Sequence, residues 1–295
     1  MGCVALRGAV RFCPSRGPTL TIMPNALRVG APCGAGSAPR LRESTPRCRA
    51  AAWEHTNMST LDEQVAIITG AVGNLGFATA RAMQRAGARM VLVDRDQARV
   101  EAKYADLAGS ADHLLAGGVD LASSDACAAL AGRAVERFGH IDILVNTVGA
   151  FRGGKPVHED DPGNWKLLFD VNVATAVNTC RAVVPTMLRQ RRGRIINIAS
   201  RAALAGVGGL SAYCASKAAV VRLTESLSAE LKLSGINVNC VLPNTIDTPE
   251  NRRALPDADP ATWVAPEALA DVIVFLASDA ARAIHGAAIP VYGTG

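Results

Sequence analysis

From residue 64 onward the chain alternates between short runs that are apolar almost throughout and longer runs whose apolar residues recur every three or four positions. The short runs read as strands at 64–69 (QVAIIT), 89–94 (RMVLVD), 113–120 (HLLAGGVD), 141–146 (IDILVN), 193–200 (GRIINIAS), 236–242 (INVNCVL) and 287–292 (AAIPVY). The longer runs predict helices after the glycines at 70–76, over 96–108, 123–138, a long stretch to about 190 interrupted at Pro185, then 211–234 and 266–277. Strands apolar on both faces belong to parallel sheets covered by helices on both sides, joined by right-handed crossovers. The predicted fold is therefore α/β: a single doubly wound Rossmann-type domain over 58–295, with a parallel seven-stranded sheet flanked by helices. Residues 1–57 show neither period and are rich in Pro, Gly, Arg and Ala. They read as a disordered or dispensable extension, with an internal start at Met58 ranked ahead of an Arg-rich transit segment.

In such sheets ligands lie beyond the carboxyl ends of the strands, and the chemically suggestive residues fall there. TGAVGNLG (69–76) closes the first strand and opens a helix. Gly70, Gly73 and Gly76 let the backbone turn sharply and approach a pyrophosphate whose charge the helix N-terminus stabilises. A glycine-rich turn alone also occurs as a plain connection. Asp94, 18 residues after Gly76, strengthens the dinucleotide reading, because a carboxylate there accepts from both ribose hydroxyls and repels a 2′-phosphate. NAD is thus favoured over NADP, with the neighbouring Arg95 as the counter-argument. Asp120 either caps the next helix or accepts from an adenine amino group.

One of the chain's three tyrosines, Tyr213, stands four residues before Lys217 and thirteen after Ser200. A free tyrosine is a poor base at neutral pH, by about 4 kcal/mol. One positive charge at about 5 Å and an effective dielectric near 20 returns roughly 3 kcal/mol, and residues i and i+4 share a helical face. Such a pair is ordinary surface decoration on most helices. Here it is read as a proton donor and its tuning cation, with the Ser200 hydroxyl holding a substrate oxygen.

TGAVGNLG, NTVG (146–149), Asn172 in DVNV, Ser200 and YCASK (213–217) share the order and spacing of classical short-chain dehydrogenases/reductases, a family this chain resembles over roughly 62–295. The resemblance implies catalytic roles for Asn172, Ser200, Tyr213 and Lys217, with Asn172 sustaining a water path to the lysine. It implies dinucleotide contacts at Gly70, Gly73, Asn74, Leu75, Gly76, Asp94, Arg95, Asp120, Leu121, Asn146, Gly149, Tyr213, Lys217, Pro243, Ile246 and Thr248, no metal, and a homodimer or homotetramer built on the helices near 162–190 and 211–234. Three departures stand out. Asn74 replaces a glycine, and asparagine best tolerates a left-handed backbone. Thr147 and Val148 replace the middle of Asn-Asn-Ala-Gly, and Pro243-Asn244 replaces Pro-Gly. LPNTIDTPENRRALPDAD followed by Trp263 is similar to the lid of dihydropteridine reductases, which makes pterin reduction the second reading. Retention of Ser200 puts carbonyl/alcohol chemistry first, 3-oxoacyl thioester reduction being one example. A non-catalytic dinucleotide sensor or scaffold is the reading from another class.

Charge changes little. Residues 1–57 hold eight arginines, no lysine and two acids, so the net +5 resides in the extension and the remainder is −1. A near-neutral body gives no electrostatic case for nucleic acid. The eight cysteines show no C-x-x-C or zinc spacing and read as free thiols in a reducing, cytoplasmic compartment. No uninterrupted apolar run reaches membrane-spanning length, so no membrane is expected. Specificity is expected from loops 150–165, 201–210 and 249–263. There Arg152, Lys155, Arg252 and Arg253 read as a solvated rim or as anchors for an acidic substrate, His158 as exposed, and Trp165 and Trp263 as substrate covers or core.

Overall fold

The computed structural model describes residues 61–295; the extension over 1–57 and its four cysteines lie outside the described residues. The strands are β1 (Val65–Thr69), β2 (Arg89–Val93), β3 (His113–Ala116), β4 (Ile143–Asn146), β5 (Gly193–Ile198), β6 (Ile236–Pro243) and β7 (Ala288–Val291). They form one sheet in the order β3-β2-β1-β4-β5-β6-β7, every pair parallel. The helices are α1 (Asn74–Arg85), α2 (Gln97–Lys103), α3 (Ser124–Phe138), α4 (Pro162–Phe169), α5 (Thr175–Gln190), α6 (Ser211–Leu231), α7 (Pro249–Ala254) and α8 (Pro266–Ala277).

Alternation along β1 explains the layering. Ala66 and Ile68 join the core under α1 and α8, where Met83, Leu269 and Ile273 are buried. Val65 and Ile67 face the opposite layer, with Leu130 of α3 and Val183 and Met187 of α5. All five β1 residues are buried, as the two-sided apolar run requires. Each large aliphatic side chain so placed contributes about 1.5–3 kcal/mol. Strand order reverses between β1 and β4, opening a crevice at their carboxyl ends, and Thr69 is paired there with Asn146.

Two boundaries differ from expectation. β3 ends at Ala116 rather than at 120, because positive-φ Gly118 turns the chain away from the sheet. The long helical stretch is not interrupted at Pro185, which sits inside α5. The irregularity falls at Asp170–Ala174, a π-helical turn joining α4 to α5. Such turns insert one residue into the helical repeat and re-aim the side chains they carry. By length and composition Pro162–Gln190 also qualifies as a membrane span. Its buried residues Ala176, Cys180, Val183 and Met187 instead pack in the protein core.

Candidate active site

The glycine turn is built for close backbone approach. Gly70 takes φ +62°, and a Cβ on it would press on Thr147 and Val148 at 3.1 Å. A Cβ on Gly76 would lie 2.1 Å from the Gly70 carbonyl oxygen, so any side chain there breaks the turn. Gly73 caps α1 without a side-chain hydrogen bond, leaving amides of the helix N-terminus for an anion. This cradle of three glycines at a helix N-terminus fits a dinucleotide pyrophosphate. Asn74 is not left-handed as expected. It is the first residue of α1, and its Nδ2 donates to Glu250 of α7 at 2.8 Å. Leu75 is buried in the core beneath the turn. Sequence reasoning missed Tyr104, whose fully buried hydroxyl donates to the Ala71 carbonyl at 2.6 Å and props the turn from below. Burial raises its pKa, and a tyrosine ending a polar helix gave no signal of this.

At the neighbouring strand ends, the half-buried Asp94 accepts from the Arg95 amide at 2.9 Å, while the Arg95 side chain is exposed. Asp120 neither ends β3 nor caps α3. It accepts from the Ala122 amide at 3.0 Å, and Ser123 is the cap, accepting from Ala126. Leu121 points into the core, and Asn178 takes its carbonyl at 3.0 Å.

The buried amide of Asn146 is spent inside the protein. Its Nδ2 donates to Asn197 at 2.9 Å and its Oδ1 accepts from Thr179 at 2.8 Å. It therefore pins the carboxyl ends of β4 and β5 rather than presenting a free amide. Thr147 compensates for its departure from the family pattern by exchanging hydrogen bonds with Thr69: its amide donates to the Thr69 hydroxyl, and its own hydroxyl donates to the Thr69 carbonyl.

Lys217 and Asn172 converge on Gly149, and Ser200 faces Tyr213. A Cβ on Gly149 would meet Lys217 Nζ at 3.1 Å and Asn172 Oδ1 at 3.3 Å. Asn172, carried inward by the π turn, accepts from the Ala150 amide at 2.7 Å. Its Nδ2 donates to the Ala150 carbonyl and, at 2.9 Å, to Ser216. The side chain is thus a clamp on the segment after β4 and not a free relay group. Lys217 is 4% exposed, and its Nζ donates to the Ile198 carbonyl at 3.0 Å. Burial lowers its pKa from 10.5 to about 8. Burial also pushes the Tyr213 phenol up, and the Ser200 hydroxyl facing it counters in part. Desolvation dominates at both groups and shifts each toward its neutral form. Phe151, unnoticed in the sequence, sets its ring edge-on to Tyr213 with centroids 4.9 Å apart.

Beyond β6, Pro243 still pairs with Val291, so Pro243-Asn244 leaves the strand intact. Thr248 caps α7, accepting from the Asn251 amide at 3.1 Å. Asn251 Nδ2 donates to the Ile246 carbonyl at 2.8 Å, which fixes this loop. Arg252 is committed to Asp247 through two hydrogen bonds, and Arg253 pairs with Glu250 at 3.5 Å. Neither is a free anchor for an acidic substrate. His158 is exposed as expected, and Trp165 stacks on Phe169 with centroids 6.2 Å apart.

A doubly wound parallel sheet with a glycine cradle at its switch point and a Ser-Tyr-Lys group two strands along is the architecture of an oxidoreductase. The short chain dehydrogenase family matches residues 64–259, and the chain belongs to it. It is 32% identical over 241 residues to the (2S)-[(R)-hydroxy(phenyl)methyl]succinyl-CoA dehydrogenase subunit BbsD of Thauera aromatica, covering 79% of this chain and 96% of that one. A 3-oxoacyl-[acyl-carrier-protein] reductase of Thermotoga maritima is 30% identical over 242 residues, covering 79% and 98%. The solved structure of gox2181 superposes with a TM-score of 0.74 at 32% identity, covering 79% and 96%. The chain is an oxidoreductase of hydroxyl and carbonyl groups, and its family binds a nicotinamide dinucleotide.

Proposed function

We propose that the protein is an NAD-dependent reductase and dehydrogenase of a ketone/secondary-alcohol pair, with Tyr213 as general acid and base. The observation that carries this is Ser200 facing Tyr213 on the helix that also brings Lys217 beside Gly149 and the Asn172 clamp. When bound, the nicotinamide supplies or takes the hydride. Ser200 holds the substrate oxygen, and Tyr213 gives that oxygen its phenolic proton in reduction and takes it back in oxidation. A phenol raised by burial is protonated at neutral pH, the form that reduction needs. Lys217 stabilises the phenolate left behind and holds the nicotinamide ribose, while Gly149, Ile246 and Thr248 line the nicotinamide end. Gly70, Gly73, Asn74 and Gly76 receive the pyrophosphate. Asp94 receives the adenosine ribose and favours NAD over NADP.

Ser200 facing the phenol supports carbonyl chemistry over pterin reduction, where a ring nitrogen has less use for a hydroxyl that holds oxygen. An intact Ser-Tyr-Lys-Asn set speaks against a non-catalytic sensor. The free buried thiols of Cys127, Cys180, Cys214 and Cys240 support a reducing, cytoplasmic setting. Ala215 and Ala218 line an open apolar depression of about 500 Å³ with the 202–207 loop, which supports a homodimer or homotetramer contact on this face. The test is hydride transfer from NADH and NADPH to a panel of ketones, 3-oxoacyl thioesters and quinonoid dihydropterin. On the best substrate, Tyr213→Phe lowers turnover at least about a hundredfold, the scale of lost general acid–base catalysis, with NADH binding retained. Near-parental turnover in this variant contradicts the assignment.

A further inference from the structure

The segment just after β4 carries a feature that the proton-transfer chemistry does not use. Phe151 is 64% exposed, yet its ring stands edge-on to the Tyr213 ring at 4.9 Å and 75°. It is not a floppy loop residue. The Asn172 amide clamps Ala150 on one side of it through two hydrogen bonds. On the other side the Gly154 amide donates to the Gly209 carbonyl at 2.9 Å. The Leu210 side chain fills the space that a Cβ on Gly153 would need, coming within 2.1 Å of it. Leu210 is itself the N-cap residue of α6, the helix that carries Tyr213, and its carbonyl accepts from Cys214 at 2.8 Å. The phenyl ring is therefore registered to the reactive phenol through both of its flanks.

A large apolar ring held in solvent beside a half-buried phenol gains contact only when a ligand covers it. Aromatic pairs prefer this edge-on geometry, which leaves the exposed side of the Phe151 ring free to stack or pack on a third group.

We propose that Phe151 is a specificity-determining residue: its ring is the apolar wall against which the larger substituent of the substrate packs, so the enzyme selects ketones and secondary alcohols bearing an aryl or bulky alkyl group. This rests on Tyr213 being the group that meets the substrate oxygen. A substituent on the carbonyl carbon, one bond from that oxygen, reaches the ring beside the phenol. The charged side chains of the rim, Arg152 and Lys155, stand on the exposed part of the same loop and take no part in the wall.

The test uses the full chain with its preferred nicotinamide and a matched pair of ketones, phenylacetone and acetone, which differ by one phenyl group. The parent enzyme prefers phenylacetone by at least tenfold in kcat/KM, and Phe151→Ala reduces that preference by roughly tenfold or more, the scale of one hydrophobic-pocket contact. Phe151→Trp, which keeps an aromatic wall, retains the preference. A preference for acetone in the parent overturns the inference, and so does a ratio that stays within about twofold in Phe151→Ala, the outcome expected if the ring only shields Tyr213. Absence of turnover of both ketones in the parent also overturns this inference, whereas the proposed function falls only if the wider panel of ketones and 3-oxoacyl thioesters fails with both nicotinamides.

Discussion

Two charged side chains are buried at opposite ends of the same sheet, and they are treated differently. At the amino edge, Asp142 precedes β4 with its side chain 6% exposed. Its Oδ2 accepts from the Val65 amide at 2.9 Å and lies 3.1 Å from His140 Nε2. Arg192 Nη2 lies 2.9 Å from its Oδ1, off the hydrogen-bond direction. The backbone of Asp142 meanwhile bonds Val65 and Arg194, so one residue ties the starts of β1, β4 and β5. At the carboxyl edge, Lys217 is buried with a single carbonyl as partner, and burial alone accounts for its shift to about 8. A buried charge given counter-charges and amides is a fastener. One left with a neutral acceptor is shifted toward its neutral form, and that imbalance distinguishes the two ends of the sheet.

The comparison can be broken at either end. Asp142→Ala removes the carboxylate that satisfies the Val65 amide and faces Arg192 and His140. It destabilises the protein by up to about 3 kcal/mol in denaturant unfolding, the cost of a buried amide left without its acceptor, while turnover per folded molecule is retained. A loss below 1 kcal/mol would reduce the fastener to decoration.

Lys217→Met acts in the opposite sense. The folded pKa lies below the unfolded one, so between pH 8 and 10.5 the unfolded chain binds a proton that the folded protein lacks, and stability due to this group rises with pH. Relative to Lys217→Met, the parent gains about 3 kcal/mol across that window. A pH-independent gap between the two proteins would show that the ammonium is not destabilised by burial.

The smallest effect concerns the cofactor. Asp94→Ala shifts the NADH/NADPH preference toward NADPH by about tenfold, or 1.4 kcal/mol, with Arg95 left beside the ribose position. An unchanged ratio would place the discrimination elsewhere.

Much of the layout of the carboxyl edge was legible because the residues that form it are close together in sequence. The glycines of 70–76 lie within two helical turns, Tyr213 and Lys217 are one turn apart, and Ser200 closes an apolar strand. The sheet followed from runs such as VAIIT, whose full burial matches their composition. What escaped depends on contacts between distant segments. The Asn172 clamp on Ala150 spans 22 residues and needs a π turn, which a periodicity of 3.6 does not register. The contact between Phe151 and Tyr213 joins a loop to a helix far along the chain. Asn74 looked like a tolerated left-handed residue, but its partner is Glu250, 176 residues away. Asp142 did leave a trace: an acid between Ile141 and Ile143 in a run otherwise buried must be paired, although its partners could not be named from the sequence. The end of β3 was misplaced because the Gly117-Gly118 break was read through as strand.

The most direct test is to titrate Lys217 itself, following the chemical shift of its ε-methylene group by NMR in the folded protein. A midpoint near pH 8 is predicted, below the 10.5 of a free lysine. A midpoint at or above 10.5 would mean that the ammonium has a counter-charge after all, and the distinction between the two ends of the sheet would fail.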